Sequence, residues 1–271
     1  MRISIVGLGW LGEPLAKYLL LRGYEIQGST TTSEKANLLK EKGIMAYPFF
    51  LNPGPEGEGW ESLFFSDILI INIPPRSRVR TDDFHLHQIR ALRQLLDKNS
   101  VAQVIFISAT SVYPDLNQEA LESDPLTAVD TGNRLLFEAE NLLWENKGYD
   151  LTVVRLGGLL GDNRIPGMYV SNKDGVVGHA PVNYIYREDA VRLVYWIIDK
   201  GLWNETYNGV APFHPTRKAV YEKNAKELGF APPSSYELPE VSPWKRISSA
   251  KIQQSGFRFL YHPLHFPFRL P

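Results

Sequence analysis

A glycine-rich turn near the start of the chain has the spacing of a phosphate-binding motif. Gly7, Gly9 and Gly12 form the pattern G-x-G-x-x-G directly after a β-branched run at residues 3–6. In a strand–turn–helix unit, the first glycine permits the tight turn and the second lets backbone N–H groups approach a pyrophosphate, while the third lets the helix pack against the strand. The helix N-terminus adds partial positive charge. The pattern predicts a dinucleotide site whose phosphate loop comprises Gly7, Leu8, Gly9, Trp10, Leu11 and Gly12.

The second strand is predicted at residues 24–27, and the segment that follows it helps to decide which dinucleotide binds. NAD sites usually have an acidic residue about 20 positions after the glycine motif, where it hydrogen-bonds the ribose 2′-hydroxyl. The strand end here has no carboxylate and offers hydroxyls and one cation, from Thr30, Thr31, Thr32 and Lys35. These side chains tolerate a 2′-phosphate better than an aspartate does, although no arginine is present to bind it. We therefore expect NADP as the cofactor rather than NAD.

The composition excludes several classes of protein. Lys and Arg total 29 against 30 Asp and Glu, a net charge of −1, which argues against nucleic-acid binding by counterion release and against electrostatic membrane docking. Cysteine is absent, which excludes a thiol nucleophile, disulfides and thiolate metal sites. His85 and His87 are two positions apart and do not share a helix face, so we expect a surface helix start and no metal site. We expect a cytoplasmic protein with a small-molecule substrate and without a membrane or nucleic-acid partner.

Strand and helix signals alternate through the first half of the chain. Short apolar runs predict strands at residues 3–6, 24–27, 44–47, 68–73, 104–108 and 151–155. Helical periodicity predicts helices that include residues 33–42, with Ser33 as N-cap, and the longer segments 84–96 and 126–144. Loops are expected at residues 52–59 and 159–181. We expect an α/β fold, with a Rossmann-like doubly wound parallel sheet over residues 1–156 and a small, dependent C-terminal α/β cap over residues 157–271.

Three later segments resemble the extended and atypical short-chain dehydrogenase/reductases, the NAD-dependent epimerase/dehydratase group. They are Val-Ile-Phe-Ile-Ser-Ala-Thr-Ser-Val-Tyr at 104–113, Val-Arg-Leu-Gly-Gly-Leu-Leu-Gly at 154–161, and Pro-Val-Asn-Tyr-Ile-Tyr-Arg-Glu-Asp at 181–189. The first 45 residues also resemble β-hydroxyacid dehydrogenases, but the second half of the chain lacks that family's later motifs. The resemblance implies an NAD(P)-binding protein acting on a small carbonyl or sugar-nucleotide substrate. It also implies cofactor contacts at Pro74, Ser108, Ala109, Leu156, Gly157 and Gly158.

The catalytic Ser, Tyr and Lys of that family are all replaced here. By the resemblance, Ala109, Thr131 and Leu135 stand at those positions. One interpretation is an enzyme with substitute groups, for which the candidates are Ser108, Thr110, Tyr113, Thr131 and the less favoured Arg134. The alternative is a catalytically silent dinucleotide-binding sensor or scaffold. Family resemblance further implies a homodimer through the helices predicted at 84–96 and 126–144.

Overall fold

The computed structural model describes residues 1–74, 83–240 and 242–265. The strands are β1 (Arg2–Val6), β2 (Glu25–Thr30), β3 (Met45–Leu51), β4 (Pro55–Gly57), β5 (Ile68–Ile71), β6 (Gln103–Ala109), β7 (Gln118–Ala120), β8 (Asp150–Leu156), β9 (Gly158–Leu160), β10 (Tyr184–Tyr186), β11 (Glu205–Gly209) and β12 (Lys245–Ile247). The helices are α1 (Gly12–Leu20), α2 (Ser33–Glu41), α3 (Phe84–Asp97), α4 (Arg134–Trp144), α5 (Arg187–Lys200), α6 (Arg217–Leu228) and α7 (Ala250–Gln254).

The main sheet has eight strands in the order β11-β8-β6-β5-β1-β2-β3-β4. Strand β1 pairs in parallel with both β2 and β5, and β4 alone is shown to run antiparallel to its neighbour, β3. Strand order therefore reverses at β1, since the chain leaves it toward β2 and returns on its other side as β5. Strand β5 is fully buried and aliphatic, and β1 is buried from Ile3 to Val6, as expected where helices cover both faces. This confirms the predicted doubly wound α/β fold and places a crevice at the carboxyl ends of β1 and β5.

The chain divides into two compact units, each assembled from separate stretches of sequence. The first comprises residues 1–112, 133–154 and 194–206, and holds most of the main sheet. The second comprises residues 113–132, 155–193 and 207–271, and holds the small parallel pairs β9–β10 and β7–β12. Residues 194–206 thus pack with the first unit, although the sequence pattern assigned them to the C-terminal cap. No helix in the described ranges is long and apolar enough to cross a membrane.

The helix predicted at residues 126–144 is wrong in its first part. Helix α4 begins at Arg134, after Asn133 in an extended conformation whose side chain accepts a hydrogen bond from the Leu136 N–H at 3.1 Å. Upstream, the Thr127 hydroxyl donates to Asp130 at 2.7 Å and accepts from the Asp130 backbone N–H. Such local side-chain bonds compete with helix formation. Thr131 therefore lies in a loop before α4, whereas the predicted helix included it.

Three smaller expectations also need correction. The N-cap of α2 is Thr32 and not Ser33, because the Thr32 hydroxyl accepts from the Lys35 N–H at 3.3 Å. The segment 52–59 is not simply a loop, since β4 folds back on an extended β3. The segment 159–181 likewise contains most of β9 and a 3₁₀ turn at Pro166–Val170. The two loop predictions fail because strand pairing and a 3₁₀ turn form within segments whose glycine and proline content favours a loop.

Candidate functional site

In the glycine turn after β1, one glycine has space for a side chain and two do not. Gly7 has a φ of +111°, and a Cβ there would collide with the Asn72 carbonyl oxygen. A Cβ at Gly12 would collide with the carbonyl oxygen of Gly7. A Cβ at Gly9, by contrast, would meet nothing within 4 Å. The first and third glycines are required by the fold itself, whereas the second leaves space for a ligand to approach the backbone.

The neighbouring strands hold this turn through side chains that the sequence patterns did not single out. The Ser29 hydroxyl, at the end of β2, accepts a hydrogen bond from the Gly7 N–H at 3.0 Å, and the Ser29 carbonyl accepts from the Leu8 N–H at 2.7 Å. After β5, the Asn72 amide donates to the Gly7 carbonyl at 2.9 Å. The first two N–H groups of the turn are thus occupied, so a phosphate must use those from Gly9 onward. Ser29 and Asn72 are both polar and stand at the carboxyl ends of predicted strands, which is the sequence signal that could have identified them.

A cavity of about 440 Å³ opens beside Gly9 at the carboxyl ends of β1, β2, β3 and β5. It is lined by Val6, Gly7, Leu8, Gly9, Ser29, Thr30, Thr31, Lys35, Phe49, Phe50, Leu51, Asn52, Asn72, Ile73, Pro74, Phe84 and Gln88. Seven of the residues expected to bind a cofactor belong to this lining, namely Gly7, Leu8, Gly9, Thr30, Thr31, Lys35 and Pro74. The remaining residues predicted for that part of the site do not line it. They are Trp10, Leu11, Gly12 and Thr32.

One wall of the cavity is aromatic and was not predicted from the sequence. It is built by Phe50 and Leu51 at the end of β3 together with Phe84 and Gln88 on α3. The Gln88 amide donates to the Leu51 carbonyl at 2.8 Å, which ties the helix to the strand. Phe50 is 40% exposed, so part of its ring is open to a ligand in the cavity. The predicted third strand stopped at residue 47, so this wall could not be located.

The charges around the cavity favour an anion. Among the described lining residues, Lys35 is the one cation and there is no Asp or Glu. The Lys35 ammonium donates to the Leu8 carbonyl at 2.7 Å, which holds its charge against the glycine turn. An open glycine, an adjacent helix N-terminus, an ammonium group and a flat apolar wall together match the phosphates, ribose and adenine of a dinucleotide. The residues present therefore fit the adenosine and pyrophosphate part of a dinucleotide cofactor.

At the end of β6, the hydroxyl of Ser108 is already engaged. It donates to the Glu140 carboxylate at 2.5 Å, and Glu140 on α4 is only 2% exposed. Thr110 is buried in the following turn, and Ser111 accepts a weak hydrogen bond from Asn133 at 3.4 Å. Glu140 was missed because a glutamate on an amphipathic helix normally faces solvent. The pairing with Ser108 spans 32 positions and has no local signal.

Tyr113, in the second unit, is enclosed by polar partners. Its hydroxyl donates to Asn208 at 2.9 Å and accepts from the Arg155 guanidinium at 2.8 Å, and the residue is 1% exposed. Burial raises the pKa of the phenol above its usual value, although the Arg155 charge opposes that rise. In the same unit, Gly157 and Gly158 lie against Asn183 and Tyr184, and Leu156 is buried. These expected site residues are therefore involved in packing within their own unit.

His85 departs from the expected surface helix start. It is 6% exposed, and burial lowers the pKa of its imidazole to about 4. Its Nδ1 has no hydrogen-bond partner within the described part of the chain. His87, by contrast, pairs with Asp83 at 3.1 Å near the surface. Across residues 1–74, 83–240 and 242–265, no group of three His, Cys, Asp or Glu side chains is placed to hold a metal ion.

Sequence comparison identifies a close full-length relative of this chain. Protein YeeZ of Escherichia coli K12 is 32% identical over 270 residues, covering 98% of each chain. The chain belongs to the YeeZ family. No protein-family model matches it.

Solved structures show which fold this YeeZ relative has. UDP-glucuronic acid 4-epimerase from Bacillus cereus, crystallised with UDP-glucuronic acid and NAD, aligns over 97% of the chain and 96% of its own (TM-score 0.75, 14% identity). A putative NAD-dependent epimerase/dehydratase from Methylobacillus flagellatus covers 96% and 93% (TM-score 0.72, 21%). Human epimerase family protein SDR39U1, solved with NADPH, covers 96% and 95% (TM-score 0.70, 16%). The YeeZ-family chain therefore has the epimerase/dehydratase fold of the atypical short-chain dehydrogenase/reductases, which confirms that resemblance.

Proposed function

We propose that the chain binds NADP(H) in the cavity beside Gly9. One observation carries the proposal, namely that the open glycine faces a cavity with Lys35 as its described cation and no described carboxylate. Residues from Gly9 onward and the start of α1 would hold the pyrophosphate, while Thr30, Thr31 and Lys35 would hold the 2′-phosphate. When bound, the nicotinamide supplies hydride transfer. We also propose a cytoplasmic location, because NADP(H) is available in that compartment.

Direct titration tests this proposal through the fluorescence of the reduced nicotinamide. NADPH should bind more tightly than NADH. Lys35→Gln should weaken NADPH binding by about tenfold to a hundredfold, because a charge-assisted hydrogen bond is worth about 1.5–3 kcal/mol. NADH binding should change little. Lys40→Gln is a matched control, since Lys40 is exposed on the same helix and does not line the cavity. Equal loss of NADH and NADPH in Lys35→Gln would contradict the assignment of the 2′-phosphate.

For the reaction, we propose an oxidoreductase or isomerase acting on a small carbonyl or sugar-nucleotide compound. The support is similarity of fold, since the Bacillus cereus neighbour is an epimerase solved with a UDP-sugar and NAD. Thr110, Thr131 and Arg134 stay candidate catalytic residues, as the sequence suggested, although the Arg134 guanidinium pairs with Glu138 at 2.6 Å. We also propose a homodimer through α3 and α4, for which light scattering should give twice the monomer mass of 30.8 kDa.

A second candidate is a catalytically silent dinucleotide sensor or scaffold. It is favoured because the Ser108 hydroxyl is bonded to Glu140, and the Tyr113 hydroxyl lies between Arg155 and Asn208. Two incubations separate the candidates: NADPH with a panel of aldehydes and ketones, and NADP⁺ with a panel of UDP-sugars whose isomers are then resolved by chromatography. Loss of absorbance at the reduced nicotinamide band in the first, or a new sugar isomer in the second, supports the enzyme if blocking the cavity at Gly9 abolishes it. Cofactor binding with neither change supports the sensor.

A further inference from the structure

A carboxylate stands in the first turn of α1, where a phosphate-binding helix would be expected to lack one. Glu13 contacts three lysines, with distances of 2.7 Å to Lys17, 3.6 Å to Lys35 and 3.7 Å to Lys42. The hydrogen bond from Lys17 lowers the pKa of Glu13 despite partial burial, so the group is charged at neutral pH. A negative charge in this position opposes the helix dipole that would attract a pyrophosphate.

The contact with Lys35 is electrostatic and not a hydrogen bond. At 3.6 Å the pair is beyond hydrogen-bonding distance, whereas the Leu8 carbonyl accepts from the same ammonium at 2.7 Å. The Leu8 carbonyl therefore positions Lys35, and Glu13 contributes mainly charge. Lys35 lines the cavity and Glu13 does not, so the carboxylate lies near the cation without forming part of the cavity surface.

We propose that Glu13 is an internal counter-anion that competes with the 2′-phosphate of NADP(H) for Lys35 and thereby limits selectivity for the phosphorylated cofactor. This inference rests on the proposed function. Three lysines and one carboxylate leave the cluster with an excess of two positive charges. Loss of the carboxylate would raise that excess by one, and a phosphate dianion responds more strongly than a hydroxyl to the change. Glu13 would keep NADP(H) exchangeable at a strongly basic site.

The test is the ratio of the NADH and NADPH dissociation constants in matched variants. Glu13→Gln should tighten NADPH binding by about three- to tenfold, with a smaller change for NADH, and the gain should shrink as salt is added. Glu13→Asp retains the charge and should retain the wild-type ratio. Lys42→Gln leaves Glu13 less neutralised and should shift the ratio in the opposite direction. Glu25→Gln is the control, since it makes the same charge change at the amino end of β2, beside Arg2.

The possible results separate this inference from the proposed function. Weaker NADPH binding in Glu13→Gln would overturn the inference and show that the carboxylate orients Lys35. An unchanged ratio in Glu13→Gln and Lys42→Gln would also overturn it, leaving Glu13 as a partner of Lys17 within α1. Wild-type protein that binds neither cofactor would instead refute the proposed function. Melting temperatures of all variants establish that each is folded. Lys42→Gln tests the predicted direction of change in the ratio of dissociation constants without altering Glu13 itself.

Discussion

The three glycine positions of the turn take glycine for different physical reasons. Atoms of the turn and of Asn72 lie too close to Gly7 and Gly12 to leave space for a Cβ, so the fold requires glycine at both positions. Gly9 borders empty space and is not among the glycines with positive φ. The motif G-x-G-x-x-G thus combines two structural positions with one binding position. The geometry agrees with the separate roles that the motif assigns to the three glycines.

This difference predicts opposite phenotypes for two substitutions. Gly9→Val should bind NADPH at least tenfold more weakly with an unchanged melting temperature, because a Cβ at this position enters the ligand's space and meets no protein atom within 4 Å. Gly12→Ala should lose on the order of 3 kcal/mol of unfolding free energy, since overpacking against backbone cannot be relieved. Gly148→Val is the control, as Gly148 is also open and lies outside the cavity lining. A large loss of stability in Gly9→Val would contradict the assignment of open space.

At the scale of elements, helix α4 matters because it carries Glu140 to Ser108. Its start is set by Asn133 and not by the upstream apolar pattern. Asn133→Ala should reduce the free energy of unfolding by about 0.5–2 kcal/mol, the usual cost of losing an N-cap. Urea denaturation measures this loss. Asn141→Ala, within the same helix, should be neutral or slightly stabilising because alanine is the better helix former. Equal effects for the two substitutions would mean that Asn133 is not the cap.

At the scale of the whole molecule, the burial of His85 leads us to expect that the protein loses stability in acid. Its pKa is lowered from 6.5 to about 4 in the folded state, so unfolding takes up a proton between these values. The stability contributed by neutral His85 is complete above pH 6.5 and falls as pH decreases toward 4, by about 3 kcal/mol in all. Denaturation curves of His85→Gln should show a shallower decline over this window than those of wild type.

The local pattern of the chain determined the glycine turn after β1, the alternation of strands and helices, and the carboxylate-free end of β2. These features depend on residues that are neighbours in sequence, where glycine spacing and apolar periodicity act directly. The confirmed doubly wound fold follows from them, since alternating strands and helices allow few arrangements. Seven of the cofactor residues expected from the sequence accordingly line the cavity.

Tertiary structure decided which polar groups are hydrogen-bonded to other parts of the chain. Glu140 meets Ser108 across 32 positions, and Asn208 meets Tyr113 across 95, so no local pattern reports these partners. Burial, which depends on packing from several elements, also reversed the expectation for His85 and gave the cavity its aromatic wall. The physical reason is that spacing along the chain governs backbone geometry, whereas hydrogen-bond satisfaction, desolvation and charge compensation depend on whichever distant segments the fold brings together.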